Sequence, residues 1–160
     1  MGRPVMPIGD SRAALPHDLH ARIVDGSPDA ILICDRAGTV VYWNTAAKRI
    51  FGFGVTEALG VSINLIIPER LRARHWAGWD ATMRTGITRY GEGQLLAVPA
   101  LRKDGRQISI EFSIQLVKNT DAQIEWVVAI IRDVTERYTL EKALRARLKA
   151  LEDQMGAIRL

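Results

Sequence analysis

The chain has 160 residues, a formal net charge of +4 and a pI near 9.6, with 48% hydrophobic and 25% charged residues. These values describe an ordinary globular chain with room for one domain and its tails, and they exclude a disordered polymer, a fibrous repeat or two full-sized domains. No apolar run approaches the roughly 20 residues that cross a bilayer, and Met1 to Ala14 lacks the apolar segment of a secretory signal. The single cysteine, Cys34, has no internal partner for a disulfide, so the expectation is a cytoplasmic protein without membrane association. Basic residues are scattered, and the one cluster, Arg70, Arg72 and Arg74, falls at alternate helix positions that fan around a solvated face. Nucleic acid is not an expected partner.

Residues 1–15 contain two prolines, two glycines and no periodicity, and read as a flexible tail. His17 to Asp25 predicts a short helix with Leu19, Ile23 and Val24 on one side, stopped by Gly26, Ser27 and Pro28. Ala30 to Cys34 and Thr39 to Trp43 are apolar and rich in β-branched residues. The intervening Asp35, Arg36, Ala37 and Gly38 suit the turn of a hairpin. Cys34 in that first strand reads as a small buried hydrophobe. Asn44 can cap a helix that Gly52 ends, and Thr56 to Leu59 allows one further turn.

Pro68 is suited to the first position of a longer helix that runs to Gly86, with Glu69 near its positive end. Gln94 to Leu101 is apolar and leads into the turn Arg102, Lys103, Asp104, Gly105. Gln107 to Val117 alternates strictly, with Ile108, Ile110, Phe112, Ile114 and Leu116 on one face. Lys118 to Gln123 is a polar turn, and Ile124 to Arg132 predicts a strand buried on both sides for much of its length. Trp43 and Trp126, on strands, read as packing residues. The pattern is α+β: five antiparallel strands with the helices grouped between the second and third. Beyond it, Leu144, Leu148, Leu151, Met155 and Ile158 recur at spacings of four and three, the seam of a parallel coiled coil. Packing of that helix back onto its own domain is the alternative.

Five phrases stand in order along this frame: Asp29-Ala30-Ile31, Asn44-Thr45-Ala46-Ala47, Phe51-Gly52-Phe53, Leu101 to Gly105, and Arg132 to Glu136. Together, from about Ala21 to Arg137, they resemble the PAS domain family. The resemblance implies a five-stranded antiparallel sheet with helices on one face, enclosing a pocket for a cofactor or metabolite. It implies a tail over residues 1–15, a sensory PAS domain over 16–134 and a signalling helix over 135–160, hinged at Asp133. Such a domain acts in signal transduction, as a homodimer through its C-terminal helix, upon a downstream effector outside this sequence. No catalytic apparatus is recognisable, so the chain is not expected to be an enzyme.

On the long helix Leu71, His75, Trp79 and Met83 fall at i, i+4, i+8 and i+12, which places an imidazole on an apolar stripe facing the sheet. A neutral imidazole there can offer one ring nitrogen to an iron if a hydrogen bond holds the other. The stretch from Ile67 to His75 resembles the proximal helix of rhizobial haem oxygen-sensor kinases and haem-PAS phosphodiesterases, which implies haem b with His75 as its metal ligand. At the opposite wall, Leu96 stands where those sensors carry an oxygen-stabilising arginine and Gln94 where the phosphodiesterases carry a methionine ligand. Phe112 and Ile114 match pocket-lining positions. With leucine in place of a charged donor, carbon monoxide, nitric oxide or redox state is expected to be favoured over oxygen. Another small ligand, or a cofactor-free dimerisation module, is the competing expectation. Trp76 and Trp79 flank the histidine, and their orientation decides whether a cavity exists. A flavin photosensor is disfavoured because no cysteine occurs near Asn64. His17 and His20 lack the spacing of a zinc site.

Overall fold

The computed structural model describes residue 16, residues 18–88 and residues 96–158. The elements, in order, are α1 (Leu19–Asp25), β1 (Ala30–Cys34), β2 (Val40–Trp43), α2 (Thr45–Phe51), α3 (Val55–Ala58), a 3₁₀ turn (Ile63–Ile66), α4 (Glu69–Thr85), β3 (Leu96–Leu101), β4 (Gln107–Lys118), β5 (Ile124–Asp133) and α5 (Thr135–Ile158). The strands form one antiparallel sheet in the order β2-β1-β5-β4-β3. Helices fill the connection between β2 and β3, as the sequence predicts, and the 3₁₀ turn is an addition. His17 and Gln94 lie outside the described residues.

The hairpin between β1 and β2 closes as its residue types require: Asp35 Oδ1 accepts the backbone N–H of Ala37 and of Thr39, each at 2.9 Å, and Gly38 takes φ +79°. Thr39 itself leaves the β1–β2 ladder and bridges to Ser62 instead, so β2 starts one residue later than the apolar pattern suggests. Pro68 is the N-cap of α4 and not its first helical residue, and Gly86 ends that helix in the left-handed conformation at φ +70°.

Asn44 ties the first half of the domain together. It is fully buried. Its Oδ1 accepts from Ile31 N at 3.0 Å and caps α2 by accepting from Ala47 N at 2.9 Å. Its Nδ2 donates to Val24 O at 3.0 Å and Asp29 O at 3.1 Å. All four hydrogen-bonding positions of the amide are used, which is why a polar side chain is tolerated without water.

The core lies on one face of the sheet, where Ala30, Leu32, Cys34, Trp43, Ile108, Ile110 and Ile131 pack with Ala47, Ile50 and Phe51 of α2. Two expectations need correction. The outer face of β5 is not covered: Ile130 is 41% exposed and Trp126 and Val128 are half-buried, so β5 is a central strand with one buried face. In α1, Ile23 points to solvent at 60% exposure, because the helix lies at the edge and is held by backbone and Asn44 contacts and not by an apolar stripe.

Asn44→Ala removes a buried cap and three further part-buried hydrogen bonds while leaving Val24 O and Asp29 O without that donor. The expected loss is about 3 kcal/mol of unfolding free energy, read by chemical denaturation of the two proteins side by side. A change within experimental error of zero contradicts the role given to this residue.

Candidate functional site

Between α4 and the inner face of the sheet lies a cavity of about 440 Å³. That is within the range of small-molecule and cofactor sites. Its sheet wall is hydrocarbon, from Ile110, Phe112, Ile114 and Leu116 of β4 and Val127, Ala129 and Ile131 of β5, plus the Cys34 thiol of β1. The alternation of β4 produces this wall directly, since residues two apart share a face. Opposite stand Leu71, His75, Trp79 and Met83 of α4, the four residues that the helical spacing aligns. Phe112 and Ile114 also line it. Leu96 stands in register with Phe112 at the start of β3, and Gln94 is outside the described residues.

The cavity exists because of how the tryptophans are turned. Trp76 does not point into it: its ring lies under the β1–β2 turn, so close to Gly38 that an added Cβ there would approach the indole to 2.3 Å. Its Nε1–H donates to Asn64 Oδ1 at 3.0 Å. Trp79 lines the cavity but is anchored at the rim, donating from Nε1 to Arg36 O at 3.0 Å. Gly38 is therefore required twice, for its positive φ and for the space that Trp76 occupies.

His75 sits against both indoles, at ring-centroid distances of 5.2 Å from Trp76 and 5.8 Å from Trp79. Its Nε2 is buried and has no hydrogen-bond partner among the described residues. Burial holds the imidazole pKa below its ordinary value of 6.5, so the ring is neutral near pH 7 and its unprotonated nitrogen can serve as a donor of electrons. A buried unpartnered nitrogen on an apolar wall is an exception that needs a cause, and a ligand is one. The residues fit haem in this respect: one imidazole and a broad apolar enclosure. The hydrogen bond expected to fix the second ring nitrogen is absent among the described residues. No cluster of three or more histidine, cysteine or acidic residues able to hold a metal ion occurs among them either.

The sequence profile of the PAS fold matches residues 24–139. The chain belongs to the PAS family. Among curated relatives, this PAS domain is 29% identical over 139 residues to the sensor protein FixL of Bradyrhizobium diazoefficiens, covering 86% of this chain and 26% of that protein. It is 26% identical over 137 residues to a nitrogen fixation regulatory protein of Klebsiella oxytoca, covering 85% and 26%. With the oxygen sensor protein DosP of Escherichia coli it shares 25% identity over 113 residues, covering 71% and 14%. The chain thus spans about a quarter or less of these relatives. Among solved structures, a PAS domain from Colwellia psychrerythraea superposes with a TM-score of 0.65 at 20% identity, over 74% of this chain and 97% of that one. An RNA-binding light-oxygen-voltage receptor does so at 0.67 and 22% identity, over 96% and 42%. Both likenesses concern the fold alone. The chain is a PAS sensory domain, of the kind found in signal transduction.

The exit from the PAS core is built by the Asp133-Val134-Thr135 phrase. Asp133 caps α5, its Oδ1 accepting the backbone N–H of Thr135 at 2.9 Å, while Thr135 Oγ1 accepts from Ser109 N at 3.0 Å. Arg132 forms a two-pronged ion pair with Asp29, at 2.9 and 2.6 Å, and holds that carboxyl below its usual range through the hydrogen bond. Sequence reasoning missed two functional positions. Arg72 is not a free surface charge, since it donates to Ile67 O at 3.2 Å and Asn64 O at 3.3 Å and pins the start of α4. Cys34 lines the cavity as well as being buried, a placement that its two-residue offset from the core residue Leu32 already contained.

Burial raises the Cys34 thiol to about 12, with the Asp35 charge adding to the effect. In mildly alkaline buffer the native protein should therefore react with iodoacetamide at least tenfold more slowly than the unfolded chain. Equal rates, followed by mass spectrometry, would show that the cavity wall is open to solvent.

Proposed function

We propose that this PAS domain is a haem b sensor of a diatomic gas or of redox state, with His75 Nε2 as the iron ligand. The observation that carries the reading is that nitrogen, buried and without a partner, on the wall of an apolar cavity of about 440 Å³. Leu71, Trp79, Met83, Phe112 and Ile114 would enclose the macrocycle, and haem iron would supply the open coordination position that a small gas needs. The described part of the sheet wall offers no charged donor, which supports carbon monoxide, nitric oxide or redox state over oxygen as the signal. Relatives named a sensor protein and an oxygen sensor protein support the same direction. The chain acts as a cytoplasmic signal receiver without catalysis of its own, and no helix of the described residues is long and apolar enough to cross a membrane. A cofactor-free or metabolite-binding PAS module is the second reading, favoured by the missing hydrogen bond at the other nitrogen of His75.

Protein expressed with a haem precursor should show a Soret band that is lost or displaced in His75→Ala. Colourless wild-type protein that also fails to take up added haemin rejects the haem reading and leaves the second.

Output is proposed to pass through α5 as a parallel homodimer. Leu144, Leu148, Leu151 and Met155 are 49–61% exposed and unpacked by their own domain, contrary to the alternative in which the helix folds back. With Leu144 and Leu151 at d positions and Leu148 and Met155 at a positions, Arg147 falls at g and Glu152 at the following e. In a parallel in-register pair these opposite charges meet, whereas an antiparallel pair would set like charges together. Sedimentation should give a dimer for the full chain and a monomer for Leu148→Lys combined with Leu151→Lys. Persistence of the dimer in that variant would move the interface elsewhere.

A further inference from the structure

Arginines 70, 72 and 74 form a basic cluster in the first half of α4, and the structure gives each a different fate. Arg70 reaches Gln107 Oε1 at 3.4 Å, and Arg72 is used in tying α4 to the 3₁₀ turn. Arg74 makes no hydrogen bond or ion pair among the described residues, and it lines the cavity. At about 100° per residue it sits at one edge of the stripe centred near His75, with Met83 at the other edge. It is exposed, so its guanidinium occupies the rim and not the interior.

The polarity of the cavity is sharply divided. Among its described lining residues Arg74 is the one charged side chain, and the polar groups Arg74, His75 and Thr82 belong to α4, with Thr88 just past the end of that helix. The sheet wall facing them is apolar apart from the weakly polar Cys34 thiol. A neutral hydrocarbon would leave the arginine and the imidazole without purpose, and a small polar metabolite would face a wall of isoleucine, phenylalanine and valine. The complementary shape is a large flat or elongated apolar body with a carboxylate on one edge.

We infer that Arg74 is the anion-recognising residue of this cavity, so that its ligand is an amphipathic carboxylic acid whose carboxylate meets the guanidinium at the rim while its body lies against the sheet. The planar fork of arginine pairs with a carboxylate through two parallel N–H donors, and it keeps its charge at any physiological pH. Haem, with its propionates, satisfies the description, and the inference rests on the ligand site proposed above. Arg74 acts in binding and orientation and has no part in ligating iron.

The test is a titration of the full chain with haemin and with haemin dimethyl ester, whose carboxylates are masked, read by Soret absorbance and tryptophan quenching. Wild-type protein should bind the acid about tenfold more tightly than the ester, a modest ratio because the pair is partly exposed. Arg74→Gln should bring the two affinities to within about twofold by lowering that for the acid alone, and Arg74→Lys should restore part of the preference. Equal affinities in wild-type protein, or a preference that Arg74→Gln leaves intact while His75→Ala still displaces the Soret band, overturns the role of Arg74 and leaves the haem reading standing. A wild-type protein that takes up neither compound overturns both.

Discussion

Helix α4 rests on the core through Trp76 and Trp79 alone among its residues and is otherwise held off the sheet, and the cavity depends on that. None of its 17 residues is buried. A helix with leucine at positions 76 and 79 would settle onto Ile110 and Phe112 and close the space, because apolar side chains pack without regard to direction. The indoles are directional: each has one N–H to place, and the acceptors are Asn64 Oδ1 on one side and Arg36 O on the other. With Arg72 fastening the first turn, the helix is fixed at three points along its edge, and its apolar stripe is held away from the sheet. The cavity leaves apolar side chains of α4 and of the sheet without packing partners on one side. A ligand that fills it therefore recovers contact energy and stabilises the fold by linkage.

The same attachments connect the cavity to the far end of the sheet. Trp79 touches His75 and is bonded to Arg36 O, and the Arg36 guanidinium donates to Ile124 O at 2.8 Å, at the first residue of β5. β5 lies between β1 and β4 and supplies Val127, Ala129 and Ile131 to the cavity wall before it reaches Asp133 and the cap of α5. A displacement of α4 thus acts on β5 at its start through the hairpin turn and along its length through the inner face. Two sets of contacts bear on one strand, and that strand ends at α5, the helix proposed to carry the output. A ligand shifts such a system only by the difference in its contacts between two arrangements, and His75 and the sheet wall belong to different elements that can move relative to one another.

Much of this frame was legible in the sequence. The alternation of β4 and the i, i+4 stripe of α4 depend on local periodicity, and both place their residues on the cavity as expected. The failures are non-local. Asn44 reads as a helix cap, but three of its four bonds go to segments before it, and no local pattern encodes them. Ile124 to Arg132 is apolar on both faces, which reads as a doubly buried strand. Burial requires a second layer, however, and none of the described elements covers Trp126, Val128 and Ile130. The orientation of Trp76 was open because it depends on Gly38 being both left-handed and without a side chain, some 38 positions earlier. Arg72 and Arg74 were indistinguishable as members of one basic cluster until the 3₁₀ turn supplied carbonyls to one and not to the other.

The first turns of α5 differ from the rest in a way that bears on how the cavity's state can reach a partner chain. Extending the heptad back from Leu144 puts Arg137 at d and Glu141 at a, two positions where a charged residue weakens a coiled coil. Both are already engaged within the chain, Arg137 to Glu111 of β4 and to Glu141, and Glu141 also to Arg145 at 3.7 Å. In the proposed dimer the seam consequently begins at Leu144, two turns past the hinge. The first of those turns is bound to the sheet instead, by Arg137 to Glu111, which pairs with Arg132 across the ladder. The segment between the sheet and the seam is then the one part of the helix whose direction the PAS core sets without competition from the coil. A change in the tilt of β4 and β5 would enter the proposed dimer there, as a change in the angle at which its two helices meet.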